Sequence, residues 1–391
     1  MAAKTLPART LWLLSVCAFS SMASMRVCDS LLPVLAMDFS TTVGHAARVI
    51  SSFTLAYGVL QLFYGPLGDR YGKMRIIGIS MLACTFGSVG AALSVTLDWL
   101  VVSRILSGAA AAGIIPLAMA WIGDSVPYES RQGVLAQLLG ATVSGMIAGQ
   151  WLGGVIADIF GWRTAFSILA LLFLTSGLIF VSRGAHFPLH PPGQTRSLIA
   201  RTLDVLAVPW ARVILGTTFV EGALAFSALA FIPTHLHTQF GLSMAAAGGV
   251  AALYGAGGLV YSRFARALVH RLGEANLARL GGVCMAFSFG TLAWATSWGW
   301  ALPACTVAGF GFYALHNTLQ TTATQMVSEV RGTAVSLFAC SLFLGQSLGM
   351  FVASWLQDNF SATVIFAVSA LGLLALSGYF AIARQRTLRG A

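Results

Sequence analysis

Charge is what this chain has least of. Only 9% of its 391 residues are Asp, Glu, Lys or Arg, where a soluble globular domain carries roughly 25%. A water-soluble protein of this length is therefore excluded. Cysteine is sparse as well. Cys17, Cys28, Cys84, Cys284, Cys305 and Cys340 all fall inside apolar runs and none makes a CxxC pair. That leaves no disulfide framework and no zinc site, and no metal is expected. P-loop, GxSxG and HExxH patterns are absent, so neither an ATPase nor an intramembrane hydrolase is expected, and no cofactor. Gly309-x-Gly311 has no strand before it and no third glycine, so it is not a nucleotide motif.

What the chain does have is apolar length. Hydrophobic residues make up 57% of it, with a mean hydropathy of +0.82. Stretches of about 20 apolar residues, enough to cross a bilayer, recur along it. Twelve helices are predicted, near 11–37, 46–67, 75–97, 99–123, 132–157, 162–182, 211–235, 243–265, 277–297, 299–325, 332–357 and 360–383. The first resembles a signal peptide, with Lys4 and Arg9 ahead of an apolar run. The run continues past Asp29 to Phe39, however, and its removal would leave an odd number of helices. The net charge of +10 does not point to nucleic acid, because the basic residues sit in short loops between apolar runs. With the N-terminus inside, 18 of the 22 Lys and Arg residues fall on the cytoplasmic side, so both termini are expected there.

The longest polar gap, 183–210, divides the helices six and six and reads as a cytoplasmic linker, between an N-terminal bundle at 1–182 and a C-terminal bundle at 211–391. His186 and His190 lie in it among prolines and read as solvated rather than ligating. The halves echo each other. Gly149-Gln150-Trp151-Leu152-Gly153 recurs as Gly345-Gln346-Ser347-Leu348-Gly349, and Asp69-Arg70-Tyr71-Gly72 has a fainter echo in His270-Arg271-Leu272-Gly273. A parallel internal repeat follows, with substrate expected near the midplane between the halves.

One polar stretch interrupts the apolar pattern: Gly65-Pro66-Leu67-Gly68-Asp69-Arg70-Tyr71-Gly72-Lys73-Met74-Arg75. Its glycines and proline predict a tight charged turn between helices 2 and 3. The pattern Gly-x-x-x-Asp-Arg-x-Gly-Lys-x-Arg resembles the signature loop of the major facilitator superfamily. Arg104-Ile105-Leu106-Ser107-Gly108 resembles that family's helix 4 motif, and Gly145-x-x-x-Gly149-Gln150-x-x-Gly153-Gly154 its helix 5 antiporter motif. In the latter, Gln150 stands where the family has proline, which weakens the inference to antiport. The likeness is nearest to the twelve-helix drug/proton antiporter-like branch. It implies an all-α polytopic membrane protein, twelve transmembrane helices in two six-helix bundles, and no enzymatic activity. It also implies that Gly65, Asp69, Arg70, Gly72, Lys73 and Arg75 form a conformational latch with Asp124, with Asp69 seated at the start of helix 11 and Arg70 reaching Asp124.

Four charges fall inside predicted helices: Arg26, Asp29, Arg104 and Glu221. Each costs at least about 2.5–3.5 kcal/mol at the bilayer centre unless it is paired or lines a wet cavity. Arg26 and Asp29 are one turn apart and can pair with each other. Asp29 and Glu221 are the candidates to carry a proton, and Arg26 and Arg104 to tune them or to hold an anionic group. Gln61, Gln150, His316, Asn317 and Gln346 are candidates for the substrate cavity or for interhelical hydrogen bonds. The expected function is a proton-coupled transporter, an efflux antiporter for small amphipathic or aromatic compounds in a bacterial inner membrane. Its partners would be the small-molecule substrate, protons and lipid, and it would act as a monomer. Proton-coupled uptake is the main rival, and a non-transporting sensor the other.

Overall fold

The structure is a computed structural model that describes residues 8–183, 197–327 and 330–389. Lys4, His186 and His190 lie outside the described residues, as does most of the polar part of the expected linker. The first span is α1 (Ala8–Arg26), a 3-10 turn (Val27–Ser30) and α2 (Leu32–Asp38). Next come α3 (Val43–Ala46) and α4 (Arg48–Tyr71), α5 (Lys73–Ala92), α6 (Leu97–Ala111) with α7 (Ile114–Ser125), α8 (Tyr128–Phe160) and α9 (Trp162–Arg183). A short α10 (Leu198–Ala207) then leads to α11 (Pro209–Phe240), α12 (Met244–Trp294), α13 (Ala301–Ala323), α14 (Arg331–Asn359) and α15 (Ala362–Arg389). Ten of these helical stretches are apolar and long enough to cross a membrane. One of them, α12, supplies two spans, because its 51 residues break at Gly273. The 23 residues of α13, at about 1.5 Å each, make the twelfth. The fold is the expected all-α polytopic one of twelve spans in two bundles, with no strand among the described residues.

The chain breaks its spans in places that hydropathy does not mark. Pro66 and Gly68 do not stop α4, which runs on to Tyr71; the turn comes at Gly72, where φ is 92°. A left-handed φ of this kind is cheap only for glycine. Gly273 repeats the device with φ 71°. The expected turn over the whole of 65–75 therefore shrinks to one residue. The expected helix 4 is two pieces, because the Tyr64 hydroxyl donates to the carbonyls of Ala109 (2.9 Å) and Ala110 (3.2 Å). A side chain inserted into the ladder kinks a helix, and Gly113 leaves room for the Tyr64 ring at the bend.

Glycine seams hold the helices together. In α8, Gly145, Gly149 and Gly153 face the backbone of Phe19, Ala23 and Val27 in the first span. In α14, Gly345 and Gly349 face Phe219 and Ala223 of α11. A Cβ at Gly145, Gly149, Gly345 or Gly349 would come within 3.0 Å of a carbonyl, so these backbones approach as closely as they do because the side chains are absent. Both members of each pair differ by 200 in number. That offset also joins Pro33 to Pro233 and corrects the sequence echo by one helical turn. The repeat-mate of Gly149 is Gly349, not Gly345, so Gln150 and Gln346 are not equivalent.

The end of the molecule that carries Gly65–Arg75 is called the basic end, and the other the far end. The halves meet closely toward the far end. Gly58 of α4 lies against Phe343 and Leu344 of α14, Ser347 donates to the Ser51 carbonyl (2.9 Å), and Gly154, Gly248 and Gly255 seat α8 against α12. At the basic end Gly65, Gly133, Gly140 and Gly332 have nothing within 4 Å of where a Cβ would stand. Within the first half, Asp38 at the far end accepts hydrogen bonds from Trp162 Nε1 (3.0 Å) and Arg163 (2.8 Å). The Trp162 indole, together with the Arg163 guanidinium, holds that carboxyl below the usual range.

Candidate transport site

Two of the four intramembrane charges, Arg26 and Asp29, sit where a helix is interrupted, while Arg104 and Glu221 lie within helices. Asp29 lies in the 3-10 turn between α1 and α2 and is fully buried. Such a turn frees backbone and marks a hinge in many helices. Arg26 ends α1 and binds Asp29 at 3.3 Å; it is 1% exposed. Gln150 of α8 donates to the same Asp29 oxygen at 3.4 Å, and Ser30 donates to the Gln150 carbonyl. The Arg26 guanidinium also lies over the Phe226 ring of α11, 4.4 Å from its centroid. It is thus a cation–π link from one half to the other.

Arg104, in α6, is buried too. Its Nε donates to the Val49 carbonyl and one terminal nitrogen to Ser24 Oγ, each at 3.3 Å. Phe53 covers the guanidinium at 4.1 Å, and Asp29 is within electrostatic range. At 1% exposed, Arg104 is enclosed by the helices around it and does not reach a membrane surface.

In the second half, Glu221 of α11 pairs with His316 Nδ1 of α13 at 3.0 Å. Its other oxygen, Oε1, has no partner among the described residues. Phe312 stacks on His316 at 4.9 Å and 10°, and Phe338 covers it at 5.3 Å. Phe226 and Tyr254 join the same cluster through Phe312, at 5.0 and 5.7 Å. The Tyr254 hydroxyl, both polar side-chain atoms of Gln346, and Gln61 Oε1 are buried without a partner among the described residues. A buried polar atom left unpaired is expensive. The Glu221–His316 pair and the Tyr254 hydroxyl thus lie in a buried cluster of rings that offers both stacking and hydrogen bonding. Asn317 is drawn instead to Tyr261, on the α12–α13 packing side.

Sequence reasoning missed the aromatic wall of Phe226, Tyr254, Phe312 and Phe338. Rings are common in any apolar run, so composition does not mark them. The usable signal was Gly309, which presses on the Tyr254 carbonyl and thereby sets α13 tightly beside α12.

The expected latch is only partly assembled. Lys73 spans Asp69 and Asp124 at 2.9 Å each, so Lys73 rather than Arg70 meets Asp124. Arg70 lies over its neighbour Tyr71 at 5.2 Å. Gly65 and Arg75 are exposed, and Gly332 near the start of α14 has no neighbour within reach of a Cβ, Asp69 included. No cluster of metal-ligating side chains occurs among the described residues.

Comparisons with known proteins agree with this architecture. The family model of the Major Facilitator Superfamily matches residues 14–350, and the chain belongs to that family. Its helices are long and apolar enough to embed it in a membrane, as that family's architecture requires. The multi-drug resistance efflux pump PmrA of Streptococcus pneumoniae is 30% identical over 163 residues, 40% of this chain and 41% of that one. The match thus spans about two fifths of that relative's length. Among solved structures, the nucleoside transporter NupG superposes with a TM-score of 0.78 at 15% identity, over 95% of this chain and 99% of that one. A D-xylose-proton symporter does so with 0.73 at 15% identity, over 96% of each. Both likenesses show the fold.

Proposed function

We propose that the chain exports small amphipathic or aromatic compounds in exchange for protons, by alternating access between two six-helix halves. The observation that carries this reading is the Glu221–His316 pair, buried in an aromatic wall with one carboxylate oxygen unpartnered. A compound with a planar ring and a hydrogen-bonding group fits such a wall. Stacking on Phe312 and Phe226 supplies affinity, while Glu221, Tyr254 and Gln346 read the polar group. A proton on Glu221 weakens its hold on both His316 and the substrate. Substrate and proton then occupy the site in turn, which is the requirement for exchange. The Arg26–Asp29–Gln150 group adds a second carboxyl that can trade a proton when the halves separate. The likeness to PmrA, a multi-drug resistance efflux pump, supports the direction of export.

In this reading the basic end faces the cytoplasm of a bacterial inner membrane, with both termini inside. The chain divides into 1–182, a linker at 183–210, and 211–391, and works as a monomer. The 200-residue register of the glycine seams supports that division, and α10 is a helical piece of the linker.

The test is transport in inverted vesicles under an imposed pH gradient over a panel of aromatic compounds. Wild type should accumulate substrate against the gradient. Glu221→Gln should abolish gradient-driven accumulation while substrate binding stays within about threefold. Full gradient-driven transport by Glu221→Gln sinks the reading, and substrate moving with the protons would make the chain a symporter.

A further inference from the structure

We infer that Asp158 and Asp358 form a two-part clasp that holds the far end closed, one carboxylate from each half gripping the other half. Asp158, near the end of α8, accepts a hydrogen bond from the backbone N–H of Ala245 at the start of α12 (2.7 Å). Asp358, near the end of α14, accepts from the backbone N–H of Gly44 (2.8 Å) and from Thr42 Oγ1 (2.6 Å), where α3 begins. The two aspartates are 200 residues apart, the same register that relates the glycine seams. The two acceptors thus share the register of the halves, while their donors, Gly44 and Ala245, are one residue out of it, and the Thr42 contact is made only at Asp358.

The backbone is shaped to admit both contacts. A Cβ on Gly44 would lie within 3.0 Å of the Ser354 carbonyl and of the Asp358 carboxyl. A Cβ on Gly154 would lie within 3.0 Å of the Met244 carbonyl. Residues 44 and 244, and 154 and 354, are again 200 apart, so each seam has one glycine at its closest point. The glycine is on α3 in one seam and on α8 in the other. An anion at the first turn of a helix is favoured by the unpaired N–H groups and the helix dipole there. Both carboxylates are exposed to solvent. When the halves separate at this end, each returns to water without leaving a buried charge. The contacts therefore bias the closed form and release cheaply, as a gate that cycles requires. The neighbouring Arg48–Asp98 pair (3.1 Å) stays within the first half and does not bridge the gate.

The experiment measures the gate itself, so it is independent of substrate and of proton coupling. Spin labels at Val95→Cys and Thr296→Cys, in full-length protein with its native cysteines replaced and reconstituted in liposomes, report the far-end distance. Asp158→Ala and Asp358→Ala should each raise the open-to-closed ratio roughly tenfold, and the double variant about a hundredfold. Asn at either site keeps an acceptor without the charge and should fall between. Asp98→Asn should leave the distribution unchanged. A double variant with the wild-type distance distribution overturns the inference. Should the double variant fail to fold, an unchanged distribution in both single Asn variants overturns it equally.

Discussion

The two halves share a frame and differ in chemistry. Gly145 and Gly149 do in the first half what Gly345 and Gly349 do in the second, 200 residues on. The polar residues do not follow that register. Asp29 corresponds to Leu229 and Glu221 to Ser21. The first half holds Asp29 with Arg26 and Gln150, and Arg104 with Val49 and Ser24. The second half holds Glu221 by one titratable residue, His316. Each half also keeps buried polar atoms without a partner among the described residues, Asp29 Oδ1, Arg26 Nε and Arg104 Nη2 in the first, and Glu221 Oε1, the Tyr254 hydroxyl and the Gln346 amide in the second. A repeated scaffold thus carries two arginines and an aspartate in one half and a glutamate–histidine pair in the other.

The largest effect should come from breaking what the halves share. Gly345→Leu and Gly145→Leu each drive a side chain into a facing carbonyl. Overpacking of this kind costs about 1–3 kcal/mol and more where backbone is the obstacle. Both variants should lose most of the monodisperse protein obtained in detergent. Gly216→Ala, in α11 with nothing within 4 Å, should melt within a few degrees of wild type. Equal yields for Gly345→Leu and wild type would show that the seam is looser than its geometry.

Breaking what only the first half has should cost function before fold. Arg104→Ala removes both hydrogen bonds and the ring contact with Phe53, and transport should fall more than tenfold. Arg104→Lys keeps the charge without the planar fork, and should reduce transport severalfold while restoring most of the thermal stability. If Ala and Lys lose transport equally, the charge at position 104 is not what matters.

Much of this was legible in the sequence because hydrophobic length is a strong signal. The twelve spans follow from it, and so do the four intramembrane charges, since an ionised group stands out in an apolar run. The Arg26–Asp29 pair followed from their spacing of three residues. Three things were not legible. Gly65, Pro66 and Gly68 read as breakers, yet the structure keeps helix through them, because the backbone turns only where φ becomes positive at Gly72. The polar stretch 183–210 read as loop, yet it holds α10, capped by Ser197, because ten residues are too few for an apolar-length signal. The echo of Gly149-Gln150 in Gly345-Gln346 was real as letters but one turn out of register. Short motifs on a helix with glycine every fourth residue match at more than one offset, and only the facing carbonyls decide between them. The aromatic wall, finally, depends on which face of α11, α12 and α13 turns inward, and all-round apolar helices carry little periodicity to show it.

The smallest effect sharpens the comparison at the two glycine turns. Lys73 follows Gly72 and holds Asp69 and Asp124 at 2.9 Å each. Glu274 follows Gly273 and holds Arg384 of α15 at 2.7 Å. The turn geometry repeats, but the sign of the charge is reversed. Exposed ion pairs are worth about 1 kcal/mol or less, so neither contact decides the fold. They differ in what is left behind when each is cut. Lys73→Gln frees two carboxylates that face each other across the turn, and their repulsion should pull α4 and α7 apart at the basic end. Glu274→Gln frees one arginine, which still lies over Trp210 at 5.8 Å. Transport should therefore fall about threefold to tenfold for Lys73→Gln and less than twofold for Glu274→Gln, with thermal melting nearly unchanged in both. Charge neutralisation separates repulsion from simple loss of a contact. Adding Asp124→Asn to Lys73→Gln should recover part of the lost transport if repulsion is the cause, and none if the lysine itself is required.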